Sequence, residues 1–250
     1  MLPGLQPRQK HDISRPPPPR CGGRGNRQRE GGAVLAVVIP TLNAAAGLPG
    51  ALGSLGPGRA RIAEVVVADG GSTDGTQAAA EAGGARVVAA ARGRGSQLRA
   101  GVAATTAPLL LVLHADSRLG PGWPEALPED GRAGWFRLRL DDPAPAARRV
   151  ERLANWRARR LALPYGDQGL VLPRALYDAV GGYRDMPLME DVDLVRRIGR
   201  ARLVELDAEI ATSAARYRRD GYWRRPLRNL ACLSLYFAGV APERILRLYG

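Results

Sequence analysis

Four short apolar runs, each followed by a segment of helical composition, dictate the kind of sheet this chain can build. Ala33–Ile39 is continuously apolar, as an interior parallel strand must be, and Pro40 is expected to end it. A helix is predicted over Ala44–Leu55 and a second strand at Val65–Val67. Asp74 and Gln77 have the spacing of a capping box opening an Ala-rich helix to Ala82, which Gly83 and Gly84 stop. Arg86–Ala89 reads as a third strand, Ser96–Ala104 as a third helix and Leu109–Leu113 as a fourth strand. Strands alternating with helices of about ten residues predict a parallel sheet covered on both faces.

After Asp116 the regularity breaks. Gly134–Leu140 alternates with period two, as an antiparallel strand would, and Arg148–Leu163 is helical. Another strand is predicted at Gly169–Leu172, then a helix over Pro173–Val180. A further amphipathic helix over Glu190–Arg200 places Val192, Val195 and Ile198 on one side. The fold class is therefore α/β: a mostly parallel sheet flanked by helices, with a mixed second half and a C-terminal helical tail. Residues 1–32 combine Pro16–Pro19, clustered Arg and Gly pairs, a composition expected to stay disordered. Residues 33–213 form the predicted α/β domain, and 214–250 a basic amphipathic helical extension.

Composition narrows the classes. A chain of 250 residues with 45% hydrophobic content can bury one good core. No apolar run approaches the roughly 18 residues that span a bilayer, Leu230–Val240 included, and the N-terminus lacks the apolar stretch of a secretory signal. Two distant cysteines, Cys21 and Cys232, provide neither a disulfide framework nor metal-ligand spacing, so a reducing cytoplasm is expected. The net charge of +13 concentrates near residues 15–29 and 216–228. An anionic membrane surface, with the protein peripheral to it, or a phosphorylated substrate accounts for that charge. Nucleic acid is disfavoured, because no basic stripe interleaved with aromatics occurs.

Chemistry concentrates at the ends of the predicted strands, where side chains of an α/β sheet face the ligand crevice. Asp69 follows one strand and Asp116 another. Asp69 can accept a hydrogen bond from a nucleobase, and Gly70 and Gly71 allow close backbone approach. Pro40, Thr41 and Asn43 follow the first strand and can contact a nucleoside, with Asn43 alternatively an N-cap. Arg94 and Gln97 lead into the third helix, where a basic group suits a diphosphate. Leu98 occupies the third glycine position of a dinucleotide fingerprint, so Gly93 and Gly95 do not make one. Asp116 is the natural ligand for Mg²⁺ or Mn²⁺, ions that take one or two carboxylates beside phosphate oxygens and water. His114 reads as a core residue ending its strand. Glu190 and Asp191 either complement a helix dipole or supply a general base for an acceptor hydroxyl. Asp167 and Gln168 are candidates on the acceptor side. Trp123, Trp135, Trp156 and Trp223 read as core anchors.

Taken in order, Ile39–Asn43, Asp69–Thr76, Ala115-Asp116 and Glu190-Asp191 resemble the family 2 glycosyltransferases of GT-A fold. The resemblance implies that Asp69 contacts the nucleobase, Asp116 binds the metal and Asp191 is the base of an inverting displacement from a nucleotide-diphosphate sugar. Leu113–Asp116, Gly166–Gly169 and Gly239–Arg244 are similar to a subgroup called radical-SAM/selenodomain-associated transferase 2, which leaves the acceptor, lipid or small metabolite, open. Ala44 and His114 stand where the family commonly carries Glu and a second Asp. Two rivals are a nucleotidyltransferase, disfavoured because no basic residue lies in the loop after the first strand, and a non-catalytic peripheral membrane protein using the basic tail.

Overall fold

The computed structural model describes residues 34–249; the expected disordered segment 1–32 lies outside them. The strands are β1 (Leu35–Thr41), β2 (Ile62–Asp69), β3 (Arg86–Ala89), β4 (Leu109–Val112), β5 (Ser117–Leu119), β6 (Ala133–Leu140), β7 (Leu170–Pro173) and β8 (Leu203–Thr212). They form one sheet in the order β3-β2-β1-β4-β7-β6-β8-β5. The first four pair in parallel, as the apolar runs predict. Antiparallel pairing of β4 with β7 then joins this half to the mixed one. The expected antiparallel character of 134–140 holds only toward β7, at Gly134 opposite Val171. Toward β8 the strand is parallel over most of its length.

Successive residues of β1 point to opposite faces, and each face has its own core. Ala36 and Val38 pack with Leu98, Leu110 and Leu194, whereas Leu35, Val37 and Ile39 pack with Leu48, Leu111, Trp123 and Phe136. Pro40 does not end β1. It lies within it, paired with Ala68 of β2, at a point where β4 has already stopped opposite Val38. A residue without an N–H is tolerated there because the strand has a neighbour on one side only.

The helices are α1 (Leu48–Gly53), α2 (Thr76–Ala82), α3 (Arg94–Ala103), α4 (Pro145–Leu161), α5 (Arg174–Ala179), α6 (Glu190–Ile198), α7 (Ala215–Asp220), α8 (Arg224–Phe237) and α9 (Pro242–Tyr249). α1 is shorter than predicted because the chain before it is drawn onto the loop after β2. Asn43 N donates to Ser72 Oγ (2.8 Å), Ala44 N to Thr76 Oγ1 (2.8 Å) and Ala45 N to Asp74 Oδ2 (3.1 Å). Asn43 is accordingly left-handed, with φ 51°, and does not cap the helix. The predicted capping box also fails: α2 starts behind left-handed Gly75, and Gln77 turns away to donate to Asp69 Oδ2 (3.0 Å).

Trp123 and Trp135 are core residues as expected, but Trp156 and Trp223 are 52% and 68% exposed. Trp123 is fully buried and donates its indole N–H to Ser54 O (3.3 Å). Trp123→Ala is expected to destabilise the fold by about 3–5 kcal/mol, measured by chemical denaturation, with a melting temperature roughly 10 °C lower.

Candidate active site

An open cleft lies where the parallel and mixed halves meet, lined by Arg94, His114, Asp116, Tyr165, Asp167, Asp191 and residues of the C-terminal helices. The chain leaves β4 through His114 and Ala115, and two backbone contacts fix the turn. Ser117 N donates to His114 O (3.1 Å), and Ser213 N donates to Asp116 O (3.1 Å). A hydroxyl chain joins the same elements: the Ser117 hydroxyl lies 2.7 Å from Thr212 Oγ1, which donates to Asp167 O (3.0 Å). Asp116 and Asp167 are thereby held against the end of β8 although 51 positions separate them in sequence (167 − 116 = 51).

Asp191 enters from the opposite wall, in the first turn of α6. Its Oδ2 accepts a hydrogen bond from Gly166 N (2.6 Å). A Cβ at Gly166 would stand 2.5 Å from His114 Nε2 and 3.4 Å from Asp191 Oδ2, so this glycine lets the imidazole and the carboxylate close on one point. α6 begins behind Met189 with φ 69°, a conformation costing about 1–3 kcal/mol for a non-glycine residue. The third acid of this turn, Asp193, is spent on structure: Arg197 reaches it at 2.6 Å and Arg184 at 3.1 Å.

Electrostatics divide the cleft. Burial pushes the His114 imidazole well below its usual range, with Arg94 and Arg216 reinforcing the shift, so it is neutral. The cleft position of His114 replaces the expected core reading. Burial raises the Asp167 carboxyl, and its Oδ1 is buried with no hydrogen-bond partner among the described residues. Glu190 lies behind the wall, 1% exposed, with Oε1 3.5 Å from Arg94 Nη1. Neither of its oxygens has a hydrogen-bond partner among the described residues, and burial pushes its pKa up to about 7 against the opposing pull of Arg94.

Arg94, Asp116, Asp167 and Asp191 therefore share one cleft, with Glu190 behind Arg94. The other predicted contacts are not among its lining residues. Asp69, 1% exposed, accepts from Thr41 Oγ1 (3.0 Å), Ser72 N (2.9 Å), Gly71 N (3.2 Å) and Gln77. These donors outweigh burial and hold its pKa at about 2. Gln97 is buried and donates to Thr41 O and Ala68 O, tying β1 to β2. Asn43 is exposed and accepts from Thr73 N (2.9 Å). Gln168 is fully buried, accepting from Arg157 (3.1 Å) and donating toward Asn155 (3.3 Å), so it braces the sheet and does not face an acceptor.

Sequence reasoning missed the C-terminal contribution. Arg216, Tyr217, Arg225, Asn229 and Tyr249 complete the lining. Only their basic and aromatic character hinted at a site, and nothing in their spacing placed them beside Asp116. Among the described residues no three His, Cys, Asp or Glu side chains are close enough to hold a metal unaided. The cleft still fits a hard divalent cation that completes its shell with ligand oxygens: Asp116 and Asp167 both line it, and Asp167 Oδ1 has no hydrogen-bond partner among the described residues.

Residues 36–130 match the family described as Glycosyl transferase family 2. Over 92 residues, 36% of the chain, it is 38% identical to uncharacterized glycosyltransferases of Mycobacterium tuberculosis and Mycobacterium bovis. That match spans 40% of the length of those curated relatives. Among solved structures, mannosyl-3-phosphoglycerate synthase of Rubrobacter xylanophilus is similar at 20% identity and TM-score 0.55, over 83% of this chain and 76% of that one. Glucosyl-3-phosphoglycerate synthase of M. tuberculosis, crystallised with Mn²⁺, UDP-glucose and phosphoglyceric acid, is similar at 24% identity and TM-score 0.51, over 70% and 69%. At these identities the likeness is one of fold.

Glu190 carries a pH signature. Its pKa is raised on folding, so unfolded Glu190 loses its proton from about pH 4.5 while folded Glu190 keeps it to about 7. Its contribution is most favourable below the lower value and declines as pH rises through that window. Glu190→Gln is expected to flatten the stability–pH curve between those limits by a few kcal/mol, on the order of 3. Denaturant titrations across the window measure the difference.

Proposed function

We propose that this chain, whose residues 36–130 match the family described as Glycosyl transferase family 2, moves a sugar from a nucleotide-diphosphate sugar to an acceptor hydroxyl with inversion. One observation carries this reading: Asp116 from the end of β4, Asp191 from α6 and Arg94 from α3 face one cleft at the carboxyl edge of the parallel strands. Arg94 lies at the start of a ten-residue helix, where the guanidinium and the helix dipole both favour phosphate oxygens. Glu190 holds that guanidinium from behind.

Asp191 acts as the general base. The Gly166 N–H fixes its carboxylate, and removal of the acceptor proton lets the hydroxyl oxygen attack the anomeric carbon as the nucleotide diphosphate leaves from the opposite side. His114, neutral and close to Gly166, can donate or accept a hydrogen bond there without adding charge. Asp116, with Asp167 beside it, would hold Mg²⁺ or Mn²⁺, which when bound neutralises the departing diphosphate. The nucleoside would lie where β1 and β2 end. Asp69 shapes that corner, together with Thr41, Asn43 and Gln97, because both its oxygens already accept hydrogen bonds. The Mn²⁺ and UDP-glucose of the mycobacterial synthase support the donor class and the ion. The acceptor is a hydroxyl compound, lipid or small metabolite, met on the cytoplasmic side.

Asp116→Asn is expected to abolish nucleotide release from a panel of UDP- and GDP-sugars in the presence of Mn²⁺. Asp191→Asn should lower kcat by about 10²–10⁴ while keeping the thermal stabilisation that a nucleotide diphosphate with Mn²⁺ gives the unsubstituted protein. Wild-type turnover by Asp191→Asn would remove the base from this mechanism.

A further inference from the structure

α8 has two unlike faces. Arg225, Asn229, Cys232 and Leu233 point inward, and the first two line the cleft. On the other side Trp223, Leu227, Leu230 and Phe237 recur at helical spacing and are 68%, 62%, 57% and 47% exposed. This is a stripe of large apolar side chains facing water along the whole helix, where isolated exposed residues would need no explanation. It continues sideways onto α4, whose Leu153 and Trp156 are more than half exposed. The link between the two helices is Arg149 of α4, its guanidinium 5.3 Å from the Trp223 ring centroid. At the other end Arg196 stands 4.8 Å over Phe237.

The rim of this stripe is basic. α8 contains no acidic residue, and the one acid of α4, Glu151, is buried and bound to Arg148 at 2.5 Å. Arg149, Arg152, Arg160 and Arg224 are exposed. Apolar residues bordered by arginine and tryptophan suit the boundary between lipid headgroups and acyl chains. A second copy of this face would bring like charges together around its edge. The 14 residues of α8 reach about 21 Å, too short to cross a bilayer, and among the described residues no helix is long and apolar enough to do so.

We infer that α8, extended by the exposed side of α4, is a docking face for an anionic lipid surface, lying in the plane of the interface with Trp223, Leu227, Leu230 and Phe237 inserted among the acyl chains. The basic tail read from the sequence does not all serve this contact: Arg225 turns to the cleft and pairs with Asp220 (3.0 Å), and Tyr222 binds Asp142 (2.7 Å). The helix that meets the lipid thus also supplies one wall of the cleft. The inference needs no assumption about the reaction.

Co-sedimentation of the full chain with phosphatidylcholine vesicles, with and without phosphatidylglycerol, tests it. Binding is expected only with the anionic lipid, falling as salt rises. Brominated acyl chains should quench tryptophan emission, and Trp223→Ser should remove part of that quenching. The double variant Leu227→Glu/Leu230→Glu should keep the melting temperature, since both positions are exposed, yet lose at least about tenfold in partitioning. Arg149→Glu/Arg224→Glu should lose about fivefold for each charge removed. Absence of binding to anionic vesicles at low salt overturns the proposal. So does an unchanged affinity in the leucine variant, which would make the contact one of charge alone. A dimer in light scattering that the leucine variant dissociates, without vesicle binding, assigns the face to a second copy and overturns it equally.

Discussion

Everything at the cleft depends on three hydroxyl-linked points: Ser117, Thr212 and the carbonyl of Asp167. They join the turn after β4, the last residue of β8 and the 3₁₀ turn at Gly166–Gln168, elements that no local rule of sequence brings together. Ser117 and Thr212 are both buried, so each hydroxyl must find a partner inside the protein. Their mutual satisfaction fixes the register of β5 on β8, where Ser117 stands opposite Thr212, and with it the direction in which Asp116 leaves the sheet. Asp116 and Asp167 are therefore positioned by neutral hydroxyl groups.

The parallel half of the fold was legible because its central strands β1 and β4 are buried on both faces and read as unbroken apolar runs. β1, β3 and β4 lie within two residues of their predicted limits. β8 escaped notice although it is the longest strand. Glu205, Asp207 and Glu209 interrupt its apolar set, and two of them face arginines of β6. Arg137 of β6 meets Asp207 (3.3 Å), and Arg139 meets Glu209 (3.8 Å). A strand whose outward positions carry charge, and whose partners lie in another segment, shows only part of its pattern locally.

A similar ambiguity governed the site. Asp116 and Asp191 could be anticipated because a strand end and a helix start each project a carboxylate predictably. Asp69, Gln97 and Gln168 have the composition of ligand contacts, yet their hydrogen bonds go to the protein. Acceptors and donors that brace two strands are the same residue types that grip a nucleotide. The partner decides between the uses, and for Gln97 that partner, Thr41, lies 56 positions away. The separation of charge has the same origin. Acids at the strand ends and arginines from α3 and the C-terminal helices give one cavity both negative and positive side chains.

The eight strands of the described residues are complete by Thr212, whereas Arg216, Tyr217, Arg225, Asn229 and Tyr249 of the cleft come later. During synthesis the sheet can consolidate while its ligand groove is still missing a side, since domains form as their residues emerge. The framework can therefore precede a finished cleft. The helices that close the cleft are also those that carry the greasy outer stripe, so the two features are gained together or not at all.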